Sequence, residues 1–98
     1  MADNLIRKAS RNNQQELSLC NLNIDIIPSN LYDLKKLLVL SLENNPIREI
    51  SKDVINLVLL QELNLNSTLI KSLPKELIEL QNLEKISIKN TPLCDVFG

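Results

Sequence analysis

The stretch LSLENNPIREI, from Leu40 to Ile50, decides the fold. Its apolar residues stand at Leu40, Leu42, Ile47 and Ile50, and Asn45 divides the longest gap, so the steps run two, three, two, three. A strand alternates its side chains with period 2 and an α-helix returns them near 3.6, so neither holds this rhythm. The backbone that does is extended at Leu40 and Leu42, turns at Asn45, and keeps returning side chains to one interior.

Shifted along the chain by 23 residues, the pattern falls on itself. Leu37, Leu60 and Leu83 share one phase. Leu17, Leu40, Leu63 and Ile86 share the next, followed by Leu19, Leu42, Leu65 and Ile88. Then come Leu22, Asn45, Thr68 and Thr91, next Ile24, Ile47, Ile70 and Leu93, and next Ile27, Ile50, Leu73 and Val96. Leu31, Val54 and Leu77, with Leu34, Leu57 and Leu80, fill the second half of each unit. The copies run 14–36, 37–59, 60–82 and a truncated 83–98, all in one register. Four such copies define a repeat architecture.

A continuous helix is excluded by arithmetic. At about 100° per residue, Leu77, Leu80, Leu83 and Ile86 slip about 60° at each step and end on opposite faces. Steps of three suit 3₁₀-like or irregular turns instead.

Each copy reads LxxLxLxx(N/T)xIxxIPxxLxxLxx, with the Ile-Pro or Leu-Pro step at Ile27-Pro28 and Leu73-Pro74. This pattern resembles the leucine-rich repeat family, in its short intracellular 23-residue type, over residues 14–98. The resemblance implies an α/β solenoid of about four coils, with a short parallel sheet on the concave face and 3₁₀ or irregular turns on the convex face. It speaks strongly for fold and hardly at all for function.

Asn45, Thr68 and Thr91 fall where strand becomes turn inside the coil, and the backbone there needs partners other than a sheet. A buried Asn both donates and accepts, so Asn45 can bond its own turn and the neighbouring coil; Thr68 and Thr91 do so in part, and Leu22 not at all. The first coil is therefore expected to be the least regular. Residues 1–13 are read as a polar extension or cap, with Asp3 as N-cap and Leu5, Ile6 and Ala9 laid on the first coil. At the other end the fourth copy stops before its second half, which predicts an apolar open surface built from Ile86, Ile88, Leu93, Val96 and Phe97 and self-association through it.

Composition removes most other functions. Eleven Lys plus Arg against twelve Asp plus Glu give a net charge of −1, so no broad basic field exists to draw nucleic acid or anionic lipid. There is no His, the usual partner in general acid–base and nucleophilic catalysis, and Cys20 has no imidazole to activate it. The single Gly is Gly98, so phosphate-cradling glycine loops are absent. No catalytic, cofactor-binding or metal-ligating residue is assigned, and the chain is read as a non-enzyme without a cofactor. Cys20 and Cys94 lie three coils apart, about 14 Å at strand spacing, too far for a bridge within the chain. With no signal-like or membrane-spanning apolar run, the expected location is the cytoplasm, with the nucleus left open.

What remains is a surface. In a leucine-rich coil the strand residues beside the core Leu face outward on the concave sheet, here Glu16, Ser18 and Cys20, then Val39, Ser41 and Glu43, then Glu62, Asn64 and Asn66, then Lys85, Ser87 and Lys89. They make a small polar column of Ser18, Ser41, Asn64 and Ser87 beside charges that pass from Glu16, Glu43 and Glu62 to Lys85 and Lys89. The face serves either as a charge-graded docking site or as an ordinary solvated sheet, and a gradient of that sense favours head-to-tail contact between copies. Four short strands present roughly 250 Å², far below the roughly 800 Å² per partner of a stable interface, so one copy should bind weakly. The resemblance implies a protein-interaction module, with regulation of a type-1 protein phosphatase as one partner class and a Ras-type small GTPase as another. The competing reading is a purely structural protein that assembles with itself.

Overall fold

The computed structural model describes the backbone of residues 2–97 and the side chains of residues 2–94. Four strands, β1 (Glu16–Ser18), β2 (Val39–Ser41), β3 (Glu62–Asn64) and β4 (Lys85–Ser87), form one parallel sheet in chain order. Leu17, Leu40, Leu63 and Ile86 are direct neighbours across it, as are Ser18, Ser41, Asn64 and Ser87. The 23-residue register is thus the register of the sheet. This is the solenoid that the leucine-rich repeat resemblance implies.

Between strands the chain returns through three 3₁₀ turns, Ser29–Asp33, Lys52–Asn56 and Lys75–Glu79. Pro28 and Pro74 precede the first and third with φ of −58° and −67°, values the pyrrolidine ring sets in advance. Ser51 takes that place in the second and accepts a bond from the Asp53 amide at 3.1 Å. In a 3₁₀ turn residues three apart eclipse, so Leu31, Leu34 and Leu37 all point inward, and so do Val54, Leu57 and Leu60. That geometry is the source of the steps of three.

The core is almost purely aliphatic. Leu37, Leu57, Leu60, Leu65 and Ile70 are wholly buried, and among the described residues Tyr32 is the one aromatic side chain of the core. Burying each such side chain contributes about 1.5–3 kcal/mol. Because a coil gains this only from the coils beside it, the two ends differ from the middle. At the first coil, helix α1 (Ala2–Arg11) lays Ile6 and Ala9, both buried, on the stack, and Leu5 packs against it partly buried. Asp3 lies inside the first turn of α1 rather than at its cap. There its carboxylate accepts from Asn30 Nδ2 at 2.9 Å and pairs with Arg7 at 3.1 Å, one helical turn on.

The first coil is not irregular at the sheet, contrary to the reading of Leu22. β1 has the same length and pairing as the other strands, and the reason is Asn45. Its Oδ1 accepts from the amides of Leu22 and Ile24, each at 3.0 Å, while Nδ2 donates to the carbonyls of Leu19 and Leu42, each at 2.9 Å. An Asn in one coil satisfies the coil before it, so the first coil needs none of its own. Thr68 and Thr91 serve only their own turns, donating to Leu65 and Ile88 at 2.8 and 2.6 Å.

One residue upstream of Asn45, Thr68 and Thr91 runs a second column. Asn21, Asn44, Ser67 and Asn90 have φ of 61°, 61°, 57° and 57°. The left-handed twist lets the ladder continue past the strand ends, where Asn21, Asn44 and Ser67 donate to Glu43, Asn66 and Lys89 at 3.1, 3.0 and 2.8 Å. Asn tolerates this conformation better than other residues with a Cβ, and Ser67 is the exception in the column.

Candidate functional site

The concave sheet brings together the residues that the sequence assigned to it. Glu16, Val39, Glu62 and Lys85 form one outward column and Ser18, Ser41, Asn64 and Ser87 the next. Past the strand ends lie Cys20, Glu43, Asn66 and Lys89. Ser18, Ser41 and Asn64 each stand between two buried Leu of their own coil, which fixes their direction.

The face is knitted by side-chain bonds between coils. Cys20 Sγ lies 3.1 Å from Ser41 Oγ and accepts from Ser18 Oγ at 3.2 Å. Asn64 Nδ2 donates to the Glu43 carboxylate at 3.0 Å, and Asn64 Oδ1 accepts the Asn66 amide at 2.9 Å. Asn66 Oδ1 in turn accepts the amide of Lys89 at 2.8 Å. Glu43 is thereby tied down in the half-buried centre, whereas Glu16, Glu62, Lys85 and Lys89 stand exposed. Val39, Ser41, Glu62, Asn64, Lys85 and Ser87 surround a shallow groove of about 160 Å³ across β2 to β4. A groove of that size seats a side chain or two and is too small for a drug-sized ligand.

The residues assigned to self-association divide. Ile86 is 37% exposed while its equivalents Leu40 and Leu63 are 2% exposed, and Ile88 is half-buried. Leu93 corrects the sequence reading: it is buried in the core, because the short helix α2 (Pro92–Phe97) turns it inward with its amide on the Ile70 carbonyl at 3.0 Å. Cys94 lies in α2 as well. The side chains of Val96 and Phe97 lie outside the described residues. At the opposite end α1 stacks on the first coil, with Ile6 and Ala9 buried beneath it.

Other exposed apolar residues went unread in the sequence. Ile78 is 85% exposed, Ile26 80%, Val58 54% and Leu59 41%, all more than Ile86. The signal was present: Val58 and Leu59 stand where the neighbouring copies carry Lys35 and Lys36 or Gln81 and Asn82.

Among the described residues no group of three or more His, Cys, Asp or Glu converges as metal ligands would, and no helix is long and apolar enough to cross a membrane. Both cysteines are free thiols. Tyr32 is the titratable side chain clearly perturbed: burial pushes its phenol up, the Ser51 amide bond opposes this, and nearby Asp53 and Glu49 add to the rise. It belongs to the core and contributes nothing to the concave face.

No family model matches the sequence, and no curated protein matches it significantly. Solved structures do. A chain of the Drosophila Toll–Spatzle complex superposes with a TM-score of 0.70 at 21% identity over 81% of this chain. A leucine-rich repeat protein of Leptospira interrogans superposes with a TM-score of 0.67 at 26% identity over 87%. The chain spans 11% and 28% of those two chains. The class is therefore a leucine-rich repeat solenoid, a fold that generally serves protein–protein interaction and is typically non-catalytic.

Proposed function

We propose that the protein is a non-catalytic protein-binding module that docks its partner on the concave sheet. The observation that carries this reading is the pre-formed network from Glu43 through Asn64 and Asn66 to Lys89. It holds the Glu43 carboxylate and the Asn64 and Asn66 side chains in fixed positions beside a shallow groove, with the exposed Lys85 and Lys89 side chains at its far side. Groups ordered before binding lose less entropy on docking, which suits a small face. Among the described residues the face has no aromatic anchor, since Tyr32 is buried in the core. A partner that presents a basic group toward Glu16 and Glu62 and an acidic group toward Lys85 and Lys89 fits it best. Type-1 protein phosphatase and Ras-type GTPases rest on the family resemblance, and no residue of the face favours either one.

The test is affinity capture with the native chain and with Ser41→Arg/Asn64→Arg, which fills the groove without touching the core. A partner that binds the native chain and is lost from the variant supports the assignment. Retention of that partner by a folded variant refutes it.

Self-association at the last coil is a second reading, favoured by the exposure of Ile86 relative to Leu63. Ile86 and Ile88 then lead it, Leu93 being withdrawn. An oligomer dispersed by Ile86→Lys supports this reading, and one that survives the substitution removes it.

A further inference from the structure

The edge of the solenoid where the strands begin carries an apolar centre between opposite charges. The edge is marked by a ladder of amides just ahead of β2, β3 and β4: Leu38 donates to Gln15, Gln61 to Leu38 and Glu84 to Gln61, at 2.7, 2.7 and 2.8 Å. In the middle of this edge Val58 and Leu59 are 54% and 41% exposed. Ile55 and Val58 also form one wall of a groove of about 350 Å³ that runs to Glu79 and the 80–82 segment. One coil toward α1 the equivalent residues are Lys35 and Lys36. One coil the other way the equivalents are Gln81 and Asn82, flanked by Glu79 and Glu84, while Asp33 stands beside the two lysines. All five charged side chains are exposed, and the one ion pair among the described residues is Arg7 with Asp3.

An apolar patch with a basic pole on one side and an acidic pole on the other is self-complementary under a two-fold axis through its centre. We propose that a second copy of this chain docks here. Val58 and Leu59 pack against their symmetry mates, and Lys35 and Lys36 of each copy meet Glu79 and Glu84 of the other. The rotation reverses the order of the poles, so both sets of opposite charges meet at once. A partner with a single-sign surface would satisfy one pole and repel the other. A stable pair needs roughly 800 Å² from each copy, about an eighth of the 6187 Å² surface. The interface leaves the concave sheet free and does not involve Ile86, so two copies would present two docking faces side by side.

The experiment is sedimentation equilibrium of the full chain, with a folded state checked by circular dichroism for every variant. The native chain should run at twice 11.1 kDa and dissociate at least tenfold more readily in high salt. Lys35→Glu/Lys36→Glu alone and Glu79→Lys/Glu84→Lys alone should each be monomeric, and an equimolar mixture of the two should dimerise again, because reversal restores the match only between unlike variants. Val58→Asp/Leu59→Asp should be monomeric, and Ile86→Lys should dimerise like the native chain. The proposal is overturned if the native chain is monomeric up to its solubility limit. It is equally overturned if the charge-reversed mixture stays monomeric, or if Ile86→Lys abolishes the dimer while Val58→Asp/Leu59→Asp keeps it.

Discussion

Replacing Asn45 by Ala tests the account of the coil interior most directly. The side chain is 2% exposed and makes bonds to two amides and two carbonyls at 3.0 Å or less. Alanine leaves the amides of Leu22 and Ile24 without an acceptor, one half-buried and one buried. An unmet buried group costs about 1–3 kcal/mol, so the loss should be about 3–4 kcal/mol. A chain of this size holds only about 5–15 kcal/mol in all, which makes the effect large. At a slope of about 1–1.5 kcal/mol per molar urea, the midpoint should fall by about 2–4 M. Asn45→Thr separates donor from acceptor. By analogy with Thr68 it keeps the bond to the carbonyl three residues back, yet its short hydroxyl does not reach the two amides of the preceding coil. Its stability should lie within about 1 kcal/mol of the alanine variant. Amide exchange gives the location, with protection lost first at Leu22 and Ile24 in the coil before the substitution. A loss under about 1 kcal/mol for alanine, or a threonine variant as stable as the native chain, would refute the reasoning.

Three further outcomes follow from the same structure. Ser67→Asn should raise stability by about 0.5–1 kcal/mol, read as a higher melting temperature, because Asn accepts φ of 57° more readily than Ser. Leu63→Ala should cost about 2–5 kcal/mol and Ile86→Ala, in the same column, about 1 kcal/mol or less, since denaturant midpoints track how much of each side chain is buried. Tyr32 is the only tyrosine, so absorbance reports its ionisation alone. Burial raises its pKa above the unfolded value of 10.0, so the folded state holds its proton longer. The stability this brings is complete below pH 10 and disappears as pH rises through the folded pKa. Tyr32→Phe should remove that alkaline dependence, and an unchanged dependence would assign it elsewhere.

The fold was legible because the core of a solenoid is written in linear order. Leu40 and Leu42 report a strand, the steps of three after Pro28 and Pro74 report 3₁₀ turns, and the repeat of both at one period reports stacking. The concave residues followed directly, since the neighbour of an inward residue in a strand faces out. Two things were not legible. The direction of service by Asn45 depends on where its side chain points between coils, which spacing cannot encode, so Leu22 was taken for a defect when its amide is satisfied from the next coil. Leu93 was assigned to an open surface as part of the fourth copy, although it shares its period with the buried Ile70; α2, which holds it inward, has no counterpart in the other copies from which it could be read.

The exposed apolar residues make the more general case. A repeat forces agreement at inward positions, because any departure leaves a cavity or a clash between coils. At outward positions it forces nothing, so differences between copies there are free to encode a surface. Tyr32, Ile55 and Ile78 occupy one column at 5%, 37% and 85% exposure, so the same place in the coil serves as core at one end and surface at the other. Lys35, Val58 and Gln81 occupy another and change from charged to apolar to neutral along the edge. The positions that break the pattern while leaving the core intact are therefore the ones to read for function. On this chain they gather at Val58 and Leu59 and at the charge change from Glu62 to Lys85.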